Sequence, residues 1–443
     1  MNTQHKISLW MAVLVNISIM FGVGIFINTV MLAKRAGGLG FVSYLIIGTL
    51  MMPLIASLAK LLTHYPTGGF YSYAADTLSP CVGFISSWSY FIGKLGSAAL
   101  IIDVFTRLMK TIIPTLRPIP TLTIDLVIIL LFTMLNMLNV KTNMSVIYAF
   151  VVLKLTPVIF AILSSLYLWK HWSLPTETLY WSGISSSIPL VLFALVGFEA
   201  ACSISRTIEN PKRNAPKAIF YSFGLVICIT TLYQLLFFLP LGKTLMAQTN
   251  YLGAFPSLLA LVFPGQEAVA NSITTFLHIC TAAAALGGGY GILFSNHWNL
   301  YALAEHNHTF FPKLLTKMNK HQVPIACVIV EALVCAGYLI FTHGHQLLLQ
   351  QISVLGCSIS YALSVVSLFA LQHTHGSTIK EKLVTYLAFG SCLIFLVTCI
   401  KNLLIDGPMG LFVYIALIAL GVIMFFLSKK QNTQPNSSLS AKL

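Results

Sequence analysis

The chain consists of long apolar runs separated by short polar stretches that contain Pro, Gly and Lys. A run of about 20 apolar residues is long enough to cross the hydrocarbon core of a bilayer as a helix. This pattern predicts twelve membrane-spanning segments, at residues 9–34, 40–63, 81–110, 122–140, 143–169, 185–205, 216–240, 268–304, 323–343, 347–372, 382–404 and 409–428. We therefore predict an all-α polytopic membrane protein.

The composition is typical of the same class. The 443 residues are 57% hydrophobic and only 8% charged, whereas a soluble domain carries about 25% charged residues. The nine cysteines occur singly and mostly within apolar runs, which favours small buried hydrophobic residues over a disulfide or metal framework. We expect no metal ion and no cofactor, and we expect the first apolar run to be a retained helix rather than a cleaved signal.

The positive charge is unevenly placed. A net charge of +14 would suggest nucleic acid as the partner of a soluble protein. If both termini are cytoplasmic, fifteen Lys and Arg residues lie on the inner side and eight on the outer side, with Lys94 and Lys154 inside segments. Positive residues favour the cytoplasmic side, so the pattern predicts this orientation without any nucleic acid. Residues 1–429 are predicted to form one transmembrane domain and residues 430–443 a disordered cytoplasmic tail.

The first segment contains an interruption at Gly22-Val23-Gly24, within NISIMFGVGIFIN at 16–28. Glycine costs roughly 1 kcal/mol relative to alanine inside a helix. In a membrane, an opened turn is tolerated only where protein or a water-filled cavity replaces the lost hydrogen bonds. A second half-helix starting near Ile25 would point free N–H groups into that cavity. A broken helix of this kind indicates a transporter's binding site; the alternative is a small-residue packing face.

A second interruption, Gly197-Phe198-Glu199, lies in segment six, five segments later. Broken helices in corresponding positions favour two inverted five-helix repeats, at about 9–169 and 185–372, with helices eleven and twelve (about 382–428) outside them. A charged glutamate at a helix centre costs about 2.5–3.5 kcal/mol on insertion scales. Glu199 is therefore predicted to be functional; the alternative is a protonated glutamate bonded to a neighbouring helix.

Four motifs occur along the chain: GVGIF at 22–26, YPTGGFYSYA at 65–74, GFE at 197–199 and ENPKRNAPKAI at 209–219. Together they resemble the amino acid–polyamine–organocation (APC) superfamily of permeases, and residues 299–324 are similar to that family's loop between helices eight and nine. The resemblance implies the leucine-transporter-type fold, a substrate site between helices one, three, six, eight and ten, and alternating access. The family motif usually has proline where this chain has Asn28, a departure that leaves the implied fold intact.

The resemblance also implies a substrate clamp made by the backbone around the openings at Gly22 and Gly197. The substrate α-carboxylate would meet N–H groups of Val23, Gly24 and Ile25. The α-amino group would meet carbonyl groups near Ile19, Met20, Phe193, Ala194 and Val196. Phe193 matches the aromatic gate of related transporters. Helix dipoles agree with this arrangement, since a zwitterion needs a positive and a negative helix end about one amino acid apart.

Lys154 lies deep within segment five. Burial disfavours a charged amine, so such a lysine could exchange a proton. In sodium-coupled relatives an ion occupies this region, and some related permeases place a lysine amine there instead. We hypothesise that Lys154 replaces sodium and either carries the coupling proton or stabilises the first helix. The alternative is a purely structural lysine bonded to carbonyls freed by the break.

Five further features have predictions of their own. Lys94 is expected either to face the cavity or to pair with Asp103 or Glu199, and Asp103 to lie in an outer vestibule. Glu331 is expected in a structural pair. Gly287-Gly288-Gly289 lacks the Lys-Ser/Thr pair of a phosphate loop and predicts close helix packing. Three His pairs at helix ends are interpreted as solvated rather than metal-binding: His306/His308, His343/His345 and His373/His375.

The sequence favours a secondary transporter of an amino acid or related small amine, driven by proton symport or by exchange. Alternatives are a polyamine/amine or amino acid–amine antiporter, a non-transporting nutrient sensor, and an integral membrane enzyme that uses a histidine such as His297. No acidic residue is firmly assigned to the predicted pocket, which favours a neutral or polar amino acid over a polyamine as the substrate. Short loops favour a bacterial inner membrane, and the oligomeric state is left open.

Overall fold

The computed structural model describes residues 6–138, 140–174, 178–406 and 408–433. In these ranges the extended pairing is limited to two isolated bridges. The α-helices are α1 (Leu9–Met20), α2 (Gly24–Ala36), α3 (Gly40–His64), α4 (Gly69–Ala75), α5 (Pro80–Ile112), α6 (Thr121–Asn136), α7 (Val140–Tyr167), α8 (Ser182–Leu195), α9 (Ala200–Ser203), α10 (Pro211–Leu241), α11 (Lys243–Ala247), α12 (Ala254–Val262), α13 (Glu267–Glu305), α14 (Pro312–Leu315), α15 (Ile325–Thr342), α16 (Gln346–His375), α17 (Ile379–Asp406) and α18 (Met409–Thr433). The predicted all-α class is confirmed.

Eight of the described helices are long and apolar enough to cross a membrane: α3, α7, α10, α13, α15, α16, α17 and α18. The pair α1–α2 passes the same criteria as one span bent by 47°. A polytopic membrane protein is therefore confirmed. The remaining predicted segments correspond to α5, whose 33 residues include Lys94 and Asp103, and to the shorter helices α6 and α8. The count of twelve crossings and the inverted repeat stay predictions.

The predicted segment boundaries lie close to the observed helix ends where polar residues flank an apolar run, and they are less accurate elsewhere. The run predicted at 268–304 is α13, Glu267–Glu305. By contrast, α6 ends at Asn136 and α7 begins at Val140, so the predicted boundary between segments four and five is displaced. The short helices α4, α11, α12 and α14 lie in stretches predicted as loops, because so few turns leave little periodicity to detect. At the C-terminus α18 continues to Thr433, and the rest of the predicted tail lies outside the described residues.

Helix α5 lies at the centre of the bundle and packs most extensively against α13 and α16. Its contact with α16 depends on two facing glycines. A Cβ added to Gly356 would lie 2.5 Å from the Ser89 carbonyl oxygen and 2.8 Å from the Gly93 Cα. Such contacts are far below van der Waals distance, so the absence of both side chains is what lets the helix backbones approach.

This contact predicts opposite effects for two glycine-to-alanine changes. Gly356→Ala should overpack the α5–α16 interface and cost about 1–3 kcal/mol. Gly390→Ala in α17 is the matched control: a Cβ there meets nothing within 4 Å, so it should gain up to about 1 kcal/mol of helix propensity. Thermal melting of the purified variants in detergent measures both. Equal melting temperatures for the two variants would contradict the packing account.

Candidate functional site

The first break lies between Met20, where α1 ends, and Gly24, where α2 begins. It packs directly against the backbone of α13, since a Cβ on Gly288 would lie 3.1 Å from the Cα of Gly22. The run 287–289 therefore allows close helix packing, as predicted, and brings α13 onto the opened turn.

The second break follows Leu195, the last residue of α8. Gly197 has φ of +138°, a conformation that side chains rarely adopt, and a Cβ there would lie 2.9 Å from the Met20 nitrogen. Both the backbone conformation and the lack of space therefore require glycine. The Glu199 Oε2 atom accepts a hydrogen bond from the Gly197 N–H at 2.7 Å. The carboxylate thus satisfies a backbone group that the break releases.

The two breaks lie against each other. A Cβ on Gly24 would lie 3.2 Å from the Ala194 Cα and 3.2 Å from the Phe193 ring. The end of α8 and the start of α2 are therefore in contact, and the Phe193 ring lies beside the first turn of α2.

Asn16 bridges the two breaks. Its Nδ2 atom donates to the Phe198 carbonyl at 2.6 Å and to the Ser222 hydroxyl at 3.0 Å, and its Oδ1 atom accepts the Ala201 N–H at 3.0 Å. The side chain is fully buried. Sequence reasoning assigned no role to Asn16, although an amide in an apolar run one turn before the break was an available signal. Asn28 makes a similar link, from Nδ2 to the Leu190 carbonyl at 2.7 Å.

Backbone polar groups of both signs meet at this contact. The first N–H groups of α2, from Gly24 and Ile25, have no acceptor within their own helix. The last carbonyl groups of α1 and α8 likewise lack donors within their helices. The N-terminal end of α2 carries partial positive charge and the two C-terminal ends carry partial negative charge. This arrangement can hold an anion and a cation a few ångströms apart.

The structure brings the sequence-predicted clamp residues together in the interior. Val196 is half-buried, and the others are buried: Ile19, Met20, Gly22, Val23, Gly24, Ile25, Phe193, Ala194 and Gly197. The region between the breaks is thus closed to bulk water in this conformation.

An ion pair lies next to the second break. The Lys94 Nζ atom of α5 is 3.0 Å from Glu199 Oε1, which also accepts a hydrogen bond from the Tyr90 hydroxyl at 2.9 Å. Lys94 is 1% exposed and Glu199 is 0% exposed. Of the alternatives predicted for Lys94, the structure shows the pair with Glu199. The two charges cancel, so the wall formed by α5 and the second break has no net charge.

Lys154 holds the last turn of α1 from the side of α7. Its Nζ atom donates to the Ser18 carbonyl at 2.7 Å and to the Ser18 hydroxyl at 3.2 Å. The side chain is 0% exposed, and a Cβ on Gly287 would lie 3.0 Å from Nζ. The amine therefore satisfies a carbonyl close to the first break and lies against the glycine run of α13.

On the side of the breaks toward the end of α2, a cavity of about 310 Å³ is lined by Ile27, Val104, Arg107 and Tyr251 among others. Arg107 Nε is 2.6 Å from Asp103 Oδ2, one turn earlier in α5. Asp103 was predicted in an outer vestibule; its partner Arg107 lines this cavity, and the pair leaves no net charge.

Two other predicted features have specific partners. His297 Nδ1 is 3.7 Å from Glu331 Oε2, both of them buried. His308, predicted to be solvated, is only partly exposed, and its Nε2 atom is 2.7 Å from the Tyr71 hydroxyl. Burial and the nearby Asp76 carboxylate raise the pKa of Tyr71 to about 12, so the hydroxyl stays protonated at neutral pH. In the described ranges no cluster of three or more His, Cys, Asp or Glu has metal-binding geometry.

The buried ion pair predicts strongly non-additive effects of mutation. Lys94→Met or Glu199→Gln alone leaves one buried charge without its partner and should cost about 3–5 kcal/mol. The double variant removes both charges and should cost less than the two single costs added together. A double-mutant cycle of thermal melting measures the coupling, with exposed Lys170→Met as the control. Additive single effects would contradict a direct pair.

Comparison with known proteins relates this chain to amino acid permeases. Residues 7–441 match the Amino acid permease family model. The chain is 22% identical over 441 residues to the aromatic amino acid transport protein AroP of Escherichia coli (strain K12), covering 92% of each protein. It is 24% identical over 332 residues to AroP of Salmonella typhimurium (strain SL1344), covering 71% of this chain and 69% of that protein. It is 24% identical over 336 residues to the DL-alanine permease SerP2 of Lactococcus lactis, covering 70% of this chain and 69% of that protein.

These relatives are permeases and not enzymes, which confirms the predicted transporter class and excludes the membrane-enzyme alternative. The match extends over nearly the whole chain rather than over a single motif. The chain belongs to the amino acid permease family, within the APC superfamily that its motifs resemble.

Proposed function

We propose that this protein is a secondary transporter that carries a neutral amino acid by alternating access and binds it between the two helix breaks. The observation that carries the proposal is the contact between the start of α2 and the end of α8, with Gly24 against Ala194 and Phe193. It brings helix ends of opposite partial charge together inside the bundle. The proposed architecture is twelve crossings, with two inverted repeats of five and both termini in the cytoplasm.

The backbone would recognise the part that all amino acids share. A carboxylate fits the N–H groups of Val23, Gly24 and Ile25, because a helix N-terminus favours negative charge. An ammonium group fits the carbonyl groups at the ends of α1 and α8. The clamp residues are buried, which supports assigning this conformation to a closed intermediate of the transport cycle. The protein would leave this intermediate when α2 and α8 move apart.

The neutral lining supports a neutral side chain on the substrate. Glu199 is compensated by Lys94 at 3.0 Å, so it offers no free carboxylate to a polyamine, and Lys94 offers no free cation to an acidic side chain. An unpaired charge in a buried pocket is expensive, which disfavours substrates that leave one. The aromatic amino acids and alanine named for AroP and SerP2 are neutral, which agrees with this choice.

Lys154 is the proposed site of proton coupling. Its amine contacts the Ser18 carbonyl, which lies in the last turn before the first break. Loss of the proton would remove the charge from that hydrogen bond and weaken it, since charge-assisted bonds are roughly twice as strong as neutral ones. The position of α1 would thereby depend on the protonation of Lys154. Substrate movement and proton movement would then be linked, in symport or in exchange.

Uptake by proteoliposomes tests the substrate class. Labelled alanine, phenylalanine, glutamate, lysine and putrescine are offered to empty and preloaded vesicles, with and without an inward proton gradient. We expect uptake of alanine or phenylalanine and none of the charged compounds. Uptake into empty vesicles that rises with the gradient identifies symport; uptake restricted to preloaded vesicles identifies exchange. Uptake of putrescine or glutamate alone would contradict a neutral substrate.

A single substitution tests the coupling proposal. Lys154→Ala should abolish the dependence of uptake on pH and on the proton gradient, whereas exposed Lys170→Ala, just beyond the same helix, should leave both unchanged. Counterflow in preloaded vesicles needs no net proton movement and shows whether the Lys154→Ala variant still binds substrate. An unaltered pH profile in an active Lys154→Ala variant would show that another group carries the proton.

A further inference from the structure

A large apolar cavity lies far from the helix breaks, at the end of the bundle where α13 ends and α15 begins. Its volume is about 690 Å³. Its walls come from α5, α13, α15, α18 and the segment 306–324, and include Trp88, Leu300, Ile329 and Met424. This cavity takes no part in the clamp, and its walls suit a hydrocarbon chain.

Exposed apolar side chains surround the entrance. Phe311 is 76% exposed and Leu314 is 59% exposed, and both line the cavity. Phe311 also has a positive φ of 54°. That conformation is uncommon and costly for an aromatic residue.

A polar atom inside the cavity lacks a partner. Thr309 lines the cavity and is 2% exposed, and its hydroxyl oxygen has no hydrogen-bond partner within the described part of the chain. A buried polar group without a partner costs about 1–3 kcal/mol. The hydroxyl could donate to an ester or phosphate oxygen of a bound molecule.

The segment 306–324 carries only positive charge. It contains Lys313, Lys317 and Lys320 and has no Asp or Glu. Lys317 itself lines the cavity, and over the described ranges no ion pair involves any of the three lysines. The position of the segment is fixed, because Asn319 Nδ2 donates to the Met137 carbonyl at 2.9 Å while its Oδ1 atom accepts the Val323 N–H at 3.0 Å.

We propose that this cavity binds an anionic phospholipid, with an acyl chain along the apolar walls, the ester region at Thr309 and the phosphate at Lys317. The positive segment argues against a zwitterionic lipid as the preferred ligand, since each basic residue near a membrane surface favours anionic lipid. The proposed cytoplasmic orientation of this end matches the leaflet in which anionic lipid attracts basic segments. The site is independent of the transported substrate.

Lipid titration monitored by native mass spectrometry tests the proposal on the full chain. Phosphatidylglycerol should bind more tightly than phosphatidylcholine of the same chain length. Lys317→Gln should weaken phosphatidylglycerol binding about fivefold and phosphatidylcholine binding less, because the choline ammonium already offsets the phosphate charge that Lys317 contacts. Lys212→Gln, at an exposed lysine near the start of α10, is the matched control and should have no effect. Equal binding of the two lipids, or equal loss in both variants, would overturn the headgroup assignment.

Fluorescence quenching tests the location of the chain. Phosphatidylglycerol with a brominated acyl chain should quench the wild-type protein more than Trp88→Phe, because Trp88 lines the cavity. Thr309→Val, nearly isosteric, should weaken lipid binding without loss of folded protein. Quenching that is identical in wild type and Trp88→Phe would place the lipid elsewhere. A dimer that dissociates in Ala326→Phe, whose ring would fill the cavity, would show that a second copy occupies it.

Discussion

Two broken helices leave backbone N–H and C=O groups without helical partners inside an apolar bundle. These groups need other hydrogen-bond partners, and the rest of the structure depends on this constraint. Each opened turn would be too costly in hydrocarbon without replacement partners. Asn16 supplies two of them, for the Phe198 carbonyl and the Ala201 N–H, while Glu199 caps the Gly197 N–H and Lys154 bonds to the Ser18 carbonyl. The groups that remain uncapped, at the start of α2 and the ends of α1 and α8, are those that a zwitterionic substrate would satisfy.

The same constraint explains the buried charges. An unpaired Glu199 carboxylate in the interior would carry a large desolvation free energy. Direct pairing with Lys94 at 3.0 Å offsets part of it. The paired carboxylate also accepts the Gly197 N–H and the Tyr90 O–H. Selectivity for a neutral substrate would then be a consequence of a pair whose first task is to stabilise the break.

Much of this could be predicted from the sequence, and the remainder required tertiary contacts. Glycines inside apolar runs located both breaks, because a backbone preference is local, and apolar run length located most long helices. The choice among partners for Lys94 could not be made, since Asp103 and Glu199 are equally plausible until α5 is placed against the second break. The role of Asn16 was missed for the same reason: its partners Phe198, Ala201 and Ser222 are distant in sequence. Short loop helices such as α12 lack the periodicity that a prediction needs.

The most direct test of the central claim is a structure of the protein determined with a bound neutral amino acid. The account predicts the substrate carboxylate within about 3 Å of N–H groups at Gly24 and Ile25. Its ammonium group should lie at the same distance from carbonyl groups at the ends of α1 and α8, with Lys94 and Glu199 still paired. An amino acid bound away from both breaks, for instance only beside Arg107 in the cavity near the end of α2, would contradict it.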